Sequence, residues 1–178
     1  MSRTKLIHLL TGYTPRYPEE SVYKQRMLAF MLAHPDCFER SLEIGHITAS
    51  ALLINRAGTH ALLMHHAKLD KWIQPGGHCD GNSDVLAVAL KEVQEESGIH
   101  GIVPRSQKIF DIDIHEIPAY KNVPAHTHYD VRFLLQVTSD EKMVQNSESK
   151  ELRWVTAQEL PTHEQSVIRM FRKWEHLR

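Results

Sequence analysis

Apolar and polar residues repeat along this chain with two periods, one typical of helices and one of strands. Between residues 84 and 98 the apolar positions recur at i, i+3, i+4 and i+7, the spacing of a helix with one face against a core. These positions are Leu86, Ala89, Leu90 and Val93. Between residues 127 and 137 apolar and polar residues alternate, which predicts a half-buried strand. Its polar face carries His126, His128, Asp130 and Arg132.

Shorter patterns predict the remaining elements. A helix opens at Pro18, because proline is favoured in the first helical turn, and it ends near His34. Capping-box patterns predict a short helix after Thr156 and a final helix after Thr162. Residues 1–16 are weakly patterned. Strands are predicted over residues 47–54, 61–64, 71–75, 108–114 and 152–155.

This order of elements predicts an α/β fold, with a mixed β-sheet between helices in an α/β/α sandwich. We expect two parts, an N-terminal helical extension over residues 1–44 and a main domain over residues 45–178. The extension could cover the sheet or provide the contact of a homodimer.

Composition narrows the class of protein. The chain has 178 residues, 42% of them hydrophobic, which suits a folded domain with a substantial core. The formal net charge of −1 argues against bulk nucleic acid as a partner. The apolar patch from Leu6 to Leu10 is too short for a membrane span, and two distant cysteines do not form a disulfide framework. We therefore expect a cytoplasmic protein without a membrane partner.

The most informative segment is the acidic side of the predicted helix over residues 84–98. Glu92, Glu95 and Glu96 fall within about a third of the helix circumference. Like charges at this spacing each cost roughly 0.2–0.5 kcal/mol on an isolated helix. A cluster of carboxylates is favourable when a divalent cation binds over it, because Mg²⁺ prefers oxygen ligands. The other interpretation is a solvated acidic helix face.

A glycine-rich turn precedes this helix and gives the segment a recognisable pattern. Gly76 and Gly77 follow an extended stretch, and Gly98 suits the left-handed position that ends a helix. The whole segment resembles the Nudix box, G-x5-E-x7-R-E-U-x-E-E-x-G-U with U apolar. In this chain the box begins at Gly77 and ends with Glu95-Glu96-Ser97-Gly98-Ile99.

Two positions depart from the box. Ser83 stands where the family has Glu, and Lys91 stands where it has Arg. In the family these two side chains are thought to brace the loop against the helix. The departures indicate a weaker scaffold, unless Asp84 pairs with Lys91, while the metal-binding carboxylates remain.

The resemblance implies a Mg²⁺-dependent hydrolase, with Mn²⁺ as a substitute, that cleaves a diphosphate linkage in a nucleoside diphosphate joined to another group X. It implies Glu92 and Glu96 as primary metal ligands, with Glu95 and the Gly77 carbonyl as further ligands. Glu95 and Glu96 are also expected in catalysis. Family members often use an acid outside the box, and the candidates here are Glu148 and Glu151, with Glu116 behind them.

Three residues are candidates for substrate binding. Trp72 could stack on a base or belong to the core. His128 could line the cleft, and Arg132 could hold a phosphate as a planar fork or form an exposed cross-strand ion pair. The substrate is expected to be a nucleotide-derived small molecule, and the pattern does not identify X.

Three alternatives stay open. A calcium loop at Asp80–Asp84 lacks the glycine and glutamate that an EF-hand requires at its sixth and twelfth positions. His126 and His128 could bind zinc with His115 or Asp130, although no fourth ligand is evident. The protein could also be a non-catalytic nucleotide-binding or regulatory module on the same fold, which the two departures from the box would explain.

Overall fold

The computed structural model of the protein describes residues 3–120 and 122–178. Within these residues the helices follow the predicted order, with one addition at the N-terminus. A 3₁₀ turn over Ala157–Glu159 replaces the short helix predicted after Thr156. The α-helices span Thr4–Thr11 (α1), Pro18–Ala33 (α2), Val85–Ser97 (α3) and Gln165–Glu175 (α4).

The strands form a mixed sheet. They span Gly45–Ile54 (β1), Ala61–His66 (β2), Lys71–Ile73 (β3), Gly76–His78 (β4), Ile102–Pro104 (β5), Asp111–Ile117 (β6), His126–Val137 (β7) and Ser149–Val155 (β8). The main path of the described sheet runs β3-β2-β1-β7-β5, while β4 pairs with β1, β6 with β7 and β8 with β2. The predicted mixed sheet is confirmed.

The pairing of β1 with β7 decides which distant residues become neighbours. These two strands are parallel, and their register places His46 beside His128 and Ser50 beside Arg132. The short strand β4 runs antiparallel to β1 on its other side and places His78 beside Thr48. Polar residues from three strands therefore lie on one face of the sheet.

Helices cover both faces of the sheet. Residues from α1, α2 and α3 form one core with alternate residues of β1, β6 and β7. Val167, Phe171 and Trp174 of α4 form a second core with Leu52 and Leu134 on the other face. Each such buried side chain contributes roughly 1.5–3 kcal/mol. This layering confirms the α/β/α prediction.

The N-terminal helices belong to this packing. Leu6 and Leu10 of α1 are fully buried, although the helix, with 8 residues, is too short to produce a clear pattern. Phe30 of α2 stacks on Tyr129 of β7, with ring centroids 4.1 Å apart. In the structure the extension thus covers one face of the sheet. Among the described helices, none has the length and apolar character needed to cross a membrane.

Two local predictions were wrong. The polar face of β7 is not solvated, since Asp130 is 3% and Arg132 2% exposed. The predicted capping box at Thr162 does not form either. The Thr162 hydroxyl accepts from the Glu164 amide, and α4 begins after Glu164 without a side-chain cap.

Candidate metal and diphosphate site

Helix α3 is fixed at both ends, which sets the direction of its acidic side. Its first residue follows Asp84, whose carboxylate accepts a hydrogen bond from the Ala87 amide. Its last turn ends at Gly98, which has a φ of 68° in the left-handed region that glycine adopts without strain. Between these ends Val88, Ala89 and Val93 pack into the core. Glu92 and Glu96 lie beside the Gly76-Gly77 strand.

Glu96 is the most buried acid of this cluster. It is 4% exposed, and its carboxylate accepts a hydrogen bond of 2.7 Å from the Gly76 amide. Burial raises the pKa of Glu96 to about 8 against this hydrogen bond, and the neighbouring Glu148 and Glu92 raise it further. Burial also raises the pKa of Glu92, although Lys91 opposes that shift. Ionising both acids at neutral pH therefore requires a compensating positive charge.

The two glycines of β4 have different roles. Gly77 of β4 and Ala49 of β1 are partners in the antiparallel ladder. The pair lies two residues along the ladder from Ala51 and Pro75, whose amide and carbonyl form a hydrogen bond. Because hydrogen-bonded pairs alternate along such a ladder, the Gly77 peptide groups point toward β1. The Gly76 amide points away from β1 toward Glu96, so the Gly76 carbonyl lies on the acidic side. The geometry thus favours Gly76 over the predicted Gly77 as a carbonyl ligand.

Gly77 is nevertheless required for the close packing of this cluster. A Cβ atom at this position would lie 2.3 Å from Oε2 of Glu92. The missing side chain therefore lets the Glu92 carboxylate lie against the backbone. Any larger residue would displace that carboxylate from the cluster.

Glu148 joins the cluster from the loop before β8. Its carboxyl lies within hydrogen-bonding reach of Glu96 and raises the pKa of that residue. Asn146 holds the loop, because its amide nitrogen donates to the Glu95 carbonyl at 3.3 Å and its oxygen accepts from the Glu148 amide at 2.9 Å. Among the four predicted catalytic acids, Glu96 and Glu148 are therefore brought together. We call Glu92, Glu96 and Glu148 the acidic site.

Glu95 lies outside this cluster. Its side chain is 57% exposed, and it pairs with Lys91 at 3.2 Å. Lys91 also pairs with Glu92 at 3.2 Å, so it does not brace the loop through Asp84. Asp84 instead pairs with Lys5 of α1 at 2.9 Å.

The acidic site fits a hard divalent cation. Three carboxyl groups converge, and two of them have raised pKa values because burial disfavours their charge. Oxygen donors in a partly open arrangement are what Mg²⁺ and Mn²⁺ prefer. Among the described residues, Lys91 pairs with Glu92 of this cluster. Because the Lys91 side chain is 62% exposed, it offsets little of the cluster's negative charge.

Glu151 and Trp72 lie together elsewhere on the sheet. The Glu151 carboxylate pairs with Arg153 at 2.6 Å. Arg153 in turn lies 4.6 Å from the Trp72 ring centroid, and His65 stacks on the same tryptophan at 5.1 Å. The structure therefore does not bring Glu151 to the acidic site. Trp72 is half-buried against the α4 core.

Arg132 lies in a buried ion-pair network, so the predicted cross-strand ion pair forms with Asp111 but is buried, not exposed. Its guanidinium donates to Asp130 at 2.7 Å and to Asp111 and Asp113 at 3.2 Å each. Arg169 and Lys173 of α4 also contact Asp111, and Lys173 contacts Glu20 of α2. With its donors directed at three aspartates, Arg132 presents no free fork to a phosphate. We call these four acids and three bases the ion-pair network.

His128 lies in a cluster of imidazoles at the other end of β7. Its ring centroid is 4.9 Å from that of His46 and 5.1 Å from those of His78 and His126. Burial lowers the pKa of His78 to about 4 and of His128 to about 2. Asp130 is engaged by Arg132, Ser50 and Thr48, so it is not available as the predicted zinc partner.

Two other candidates are engaged in local contacts. Asp80, at the start of the candidate calcium loop, forms two hydrogen bonds with Arg40. Glu116 accepts a hydrogen bond of 2.8 Å from the Thr127 hydroxyl.

Comparison with known proteins identifies the family. A family model for the NUDIX domain matches residues 45–174. The chain belongs to the Nudix family. A curated Nudix relative, the "Probable DHNTP pyrophosphohydrolase" of Lactococcus lactis subsp. cremoris, is 28% identical over 97 residues. That match covers 53% of this chain and 56% of the relative, so the chain spans just over half of the relative's length.

Solved Nudix structures share the fold. The MutT protein from Methanosarcina mazei is 21% identical and has a TM-score of 0.60, covering 76% of this chain and 96% of that one. An Ap4A hydrolase from C. elegans in a binary complex is 16% identical with a TM-score of 0.57, covering 74% and 96%. At these identities the likeness shows the fold alone.

Three residues of the acidic site and of the histidine cluster were not singled out from the sequence. The sequence identified Gly76 only as part of the turn. The alternation of hydrogen-bonded pairs between β1 and β4 is what directs its peptide groups toward Glu96. His46 and His78 were missed because their proximity to His128 depends on the β1–β7 and β1–β4 registers. The one local signal was the position of His78 directly after the two glycines.

Proposed function

We propose that this Nudix protein is a metal-dependent pyrophosphohydrolase that cleaves a diphosphate linkage in a nucleotide-derived small molecule. The observation that carries the proposal is the acidic site, in which half-buried Glu92 and buried Glu96 converge with Glu148 beside the Gly76 backbone. Such a cluster is unfavourable without a cation, and a diphosphate with its own negative charge would bind there only through one.

In this proposal Glu92, Glu96 and Glu148 hold Mg²⁺, or Mn²⁺ as a substitute, and the Gly76 carbonyl is a further ligand. When bound, the cation supplies charge neutralisation for the diphosphate and lowers the pKa of water. The Gly76 amide fixes the Glu96 carboxylate in place. The exposed Glu148 carboxylate can accept a proton from the attacking water. Glu95, at the exposed rim, has a secondary electrostatic role.

The named relatives suggest which substrates to test first. The named relatives include a DHNTP pyrophosphohydrolase and an Ap4A hydrolase, so triphosphates and dinucleoside polyphosphates belong among the first compounds to be tested. ADP-ribose and nucleotide sugars belong in the same panel. Because loops outside the box select the leaving group, the fold does not choose among these compounds.

A substrate panel with Mg²⁺ or Mn²⁺, with products identified by mass, tests the proposal. We expect turnover by the wild-type chain and its loss in Glu96→Gln, whose thermal unfolding should stay cooperative. Glu159→Gln, a matched change in the exposed 3₁₀ turn, should keep full activity. Activity retained in Glu96→Gln would contradict the assigned role.

The second candidate is a non-catalytic nucleotide-binding module. The observation in its favour is that Lys91 pairs with Glu92 and Glu95, and so does not reach the loop that the family's Arg is thought to brace. Tight nucleotide binding without turnover across the whole panel would support it. A domain boundary at residue 44 and a homodimer through α2 stay predictions, tested by light scattering on the full chain and on a chain lacking residues 1–40.

A further inference from the structure

Three histidines from three strands meet on the sheet face away from α3. They are His46 of β1, His78 of β4 and His128 of β7, and one ring nitrogen from each lies within 4.8 Å of the other two. The strand register produces this meeting, because His46 pairs directly with His128 and His78 pairs with Thr48, two residues along β1. No ligand of the acidic site belongs to this triad.

The central histidine has no partner that explains its burial. His46 is 3% exposed, and neither of its ring nitrogens forms a hydrogen bond among the described residues. The Leu42 backbone carbonyl is nearby but outside hydrogen-bond geometry. Buried polar groups are normally satisfied, so two unpaired nitrogens on one ring indicate a missing ligand.

A fourth histidine orients the triad. His126 Nδ1 lies 2.9 Å from the Pro124 carbonyl and therefore carries the proton of that hydrogen bond. Its Nε2 then accepts from His128 at 3.2 Å. In this arrangement His128 keeps a lone pair on its other nitrogen. A ligating histidine typically donates its second N–H to a hydrogen-bond acceptor, which fixes the ring; here the acceptor is the His126 imidazole.

We propose that His46, His78 and His128 bind a transition-metal ion of the zinc class, in a site separate from the acidic site. Neutral imidazole nitrogens suit Zn²⁺, whereas Mg²⁺ prefers oxygen. Two nitrogens bound to one tetrahedral Zn²⁺ lie about 3.4 Å apart. The nitrogens of the triad lie within 4.8 Å of one another, so the rings would have to move closer together to reach this geometry. Three histidines leave one coordination position for water or for a substrate group.

Binding of Zn²⁺ alone to the full chain, prepared without a polyhistidine tag, tests the proposal. Equilibrium dialysis with elemental analysis should show one tightly bound Zn²⁺ per chain in excess Mg²⁺. His46→Gln and His128→Gln should each weaken this binding about 100-fold or more, since even loss of a neighbour that orients a ligand costs 10–100-fold. His163→Gln removes an exposed histidine and should leave the affinity unchanged.

Two further measurements test the proposal even if a variant of a buried histidine does not fold. In the wild-type chain, Zn²⁺ should shift the ¹⁵N resonances of three imidazoles, and Co²⁺ should give the visible absorption of a nitrogen-ligated tetrahedral site. Glu96→Gln should keep the same Zn²⁺ affinity.

Three outcomes would overturn the proposal. These are absence of saturable Zn²⁺ binding with no imidazole shifts, equal Zn²⁺ affinity in folded His46→Gln, or loss of Zn²⁺ binding in Glu96→Gln. The last result would assign the ion to the acidic site.

Discussion

The ion-pair network and the acidic site both bury carboxylates, but only the first provides buried positive charges for them. Burial opposes ionisation of Asp113, yet Arg132 and the His115 hydrogen bond hold the pKa of that carboxyl well below its usual value. Glu96 is about as buried as Asp113, but the group that stabilises its charge is the neutral Gly76 amide, and its pKa is raised to about 8. Buried charge is stable where it is paired, so an unpaired cluster marks a place for an external cation.

The two regions also differ in what they connect. The ion-pair network joins α2, β6, β7 and α4 through Glu20, Asp111, Arg132, Arg169 and Lys173. The acidic site joins α3 to β4 and to one loop, and part of it is open to solvent. We therefore expect changes in the network to alter stability and changes in the acidic site to alter activity.

The largest expected effect is on stability, in Arg132→Met. Removing one partner from a buried ion-pair network costs roughly 3–5 kcal/mol, because the remaining carboxylates lose their counter-charge. Denaturant unfolding measures this loss. Arg105→Met, which changes an exposed arginine, should stay within about 0.5 kcal/mol of wild type. If Arg132→Met kept its stability and raised KM instead, Arg132 would be a substrate ligand.

The next effect is on activity and separates two predicted acids. Glu148→Gln should lower kcat/KM about 100-fold or more, since a metal ion in such a site contributes several kcal/mol. Glu151→Gln should stay within about twofold, because it changes a surface pair at some distance from the site. Steady-state kinetics at saturating Mg²⁺ distinguish them. Equal losses in the two variants would contradict the assignment of Glu148, and not Glu151, to the acidic site.

The third prediction concerns pH in chelator-treated protein. The folded state keeps the Glu96 proton up to about pH 8, while the unfolded chain loses it near 4.5, so the folded state binds more protons between these values. Stability should therefore fall as pH rises from about 4.5 to about 8, with a slope of up to about 1.4 kcal/mol for each pH unit. Thermal unfolding across this range measures it. Glu96→Gln or added Mg²⁺ should flatten the dependence, and an unchanged slope in either case would contradict the assignment.

The smallest effect is expected at the exposed rim. Glu95→Gln should lower kcat/KM by no more than about fivefold, because exposed ion pairs contribute 0.2–1 kcal/mol. Lys91→Met should give a change of similar size, and the double variant should resemble either single one if the pair acts together. A loss of 100-fold in Glu95→Gln would place that carboxylate among the metal ligands.

The sequence by itself predicted every element that has a clear local pattern. The 3.6-residue period and the closing Gly98 predicted α3, and the alternation over residues 127–137 predicted β7. It also predicted the Nudix family, because the box is a local pattern in which spacing on one helix determines that Glu92 and Glu96 share a side. Helix α1 was missed because its 8 residues are too few for a helical period to be recognised.

Only the tertiary structure decided which distant residues meet. The Asn146 loop brings Glu148, and not Glu151, to Glu96. The alternation in β7 correctly grouped His128, Asp130 and Arg132 on one face, but it could not show that α4 buries that face with Arg169 and Lys173. Pairing between strands of distant sequence depends on register and on the layers packed above them. A local pattern contains no information on either, and this is why it identified the family but assigned Arg132 the wrong environment.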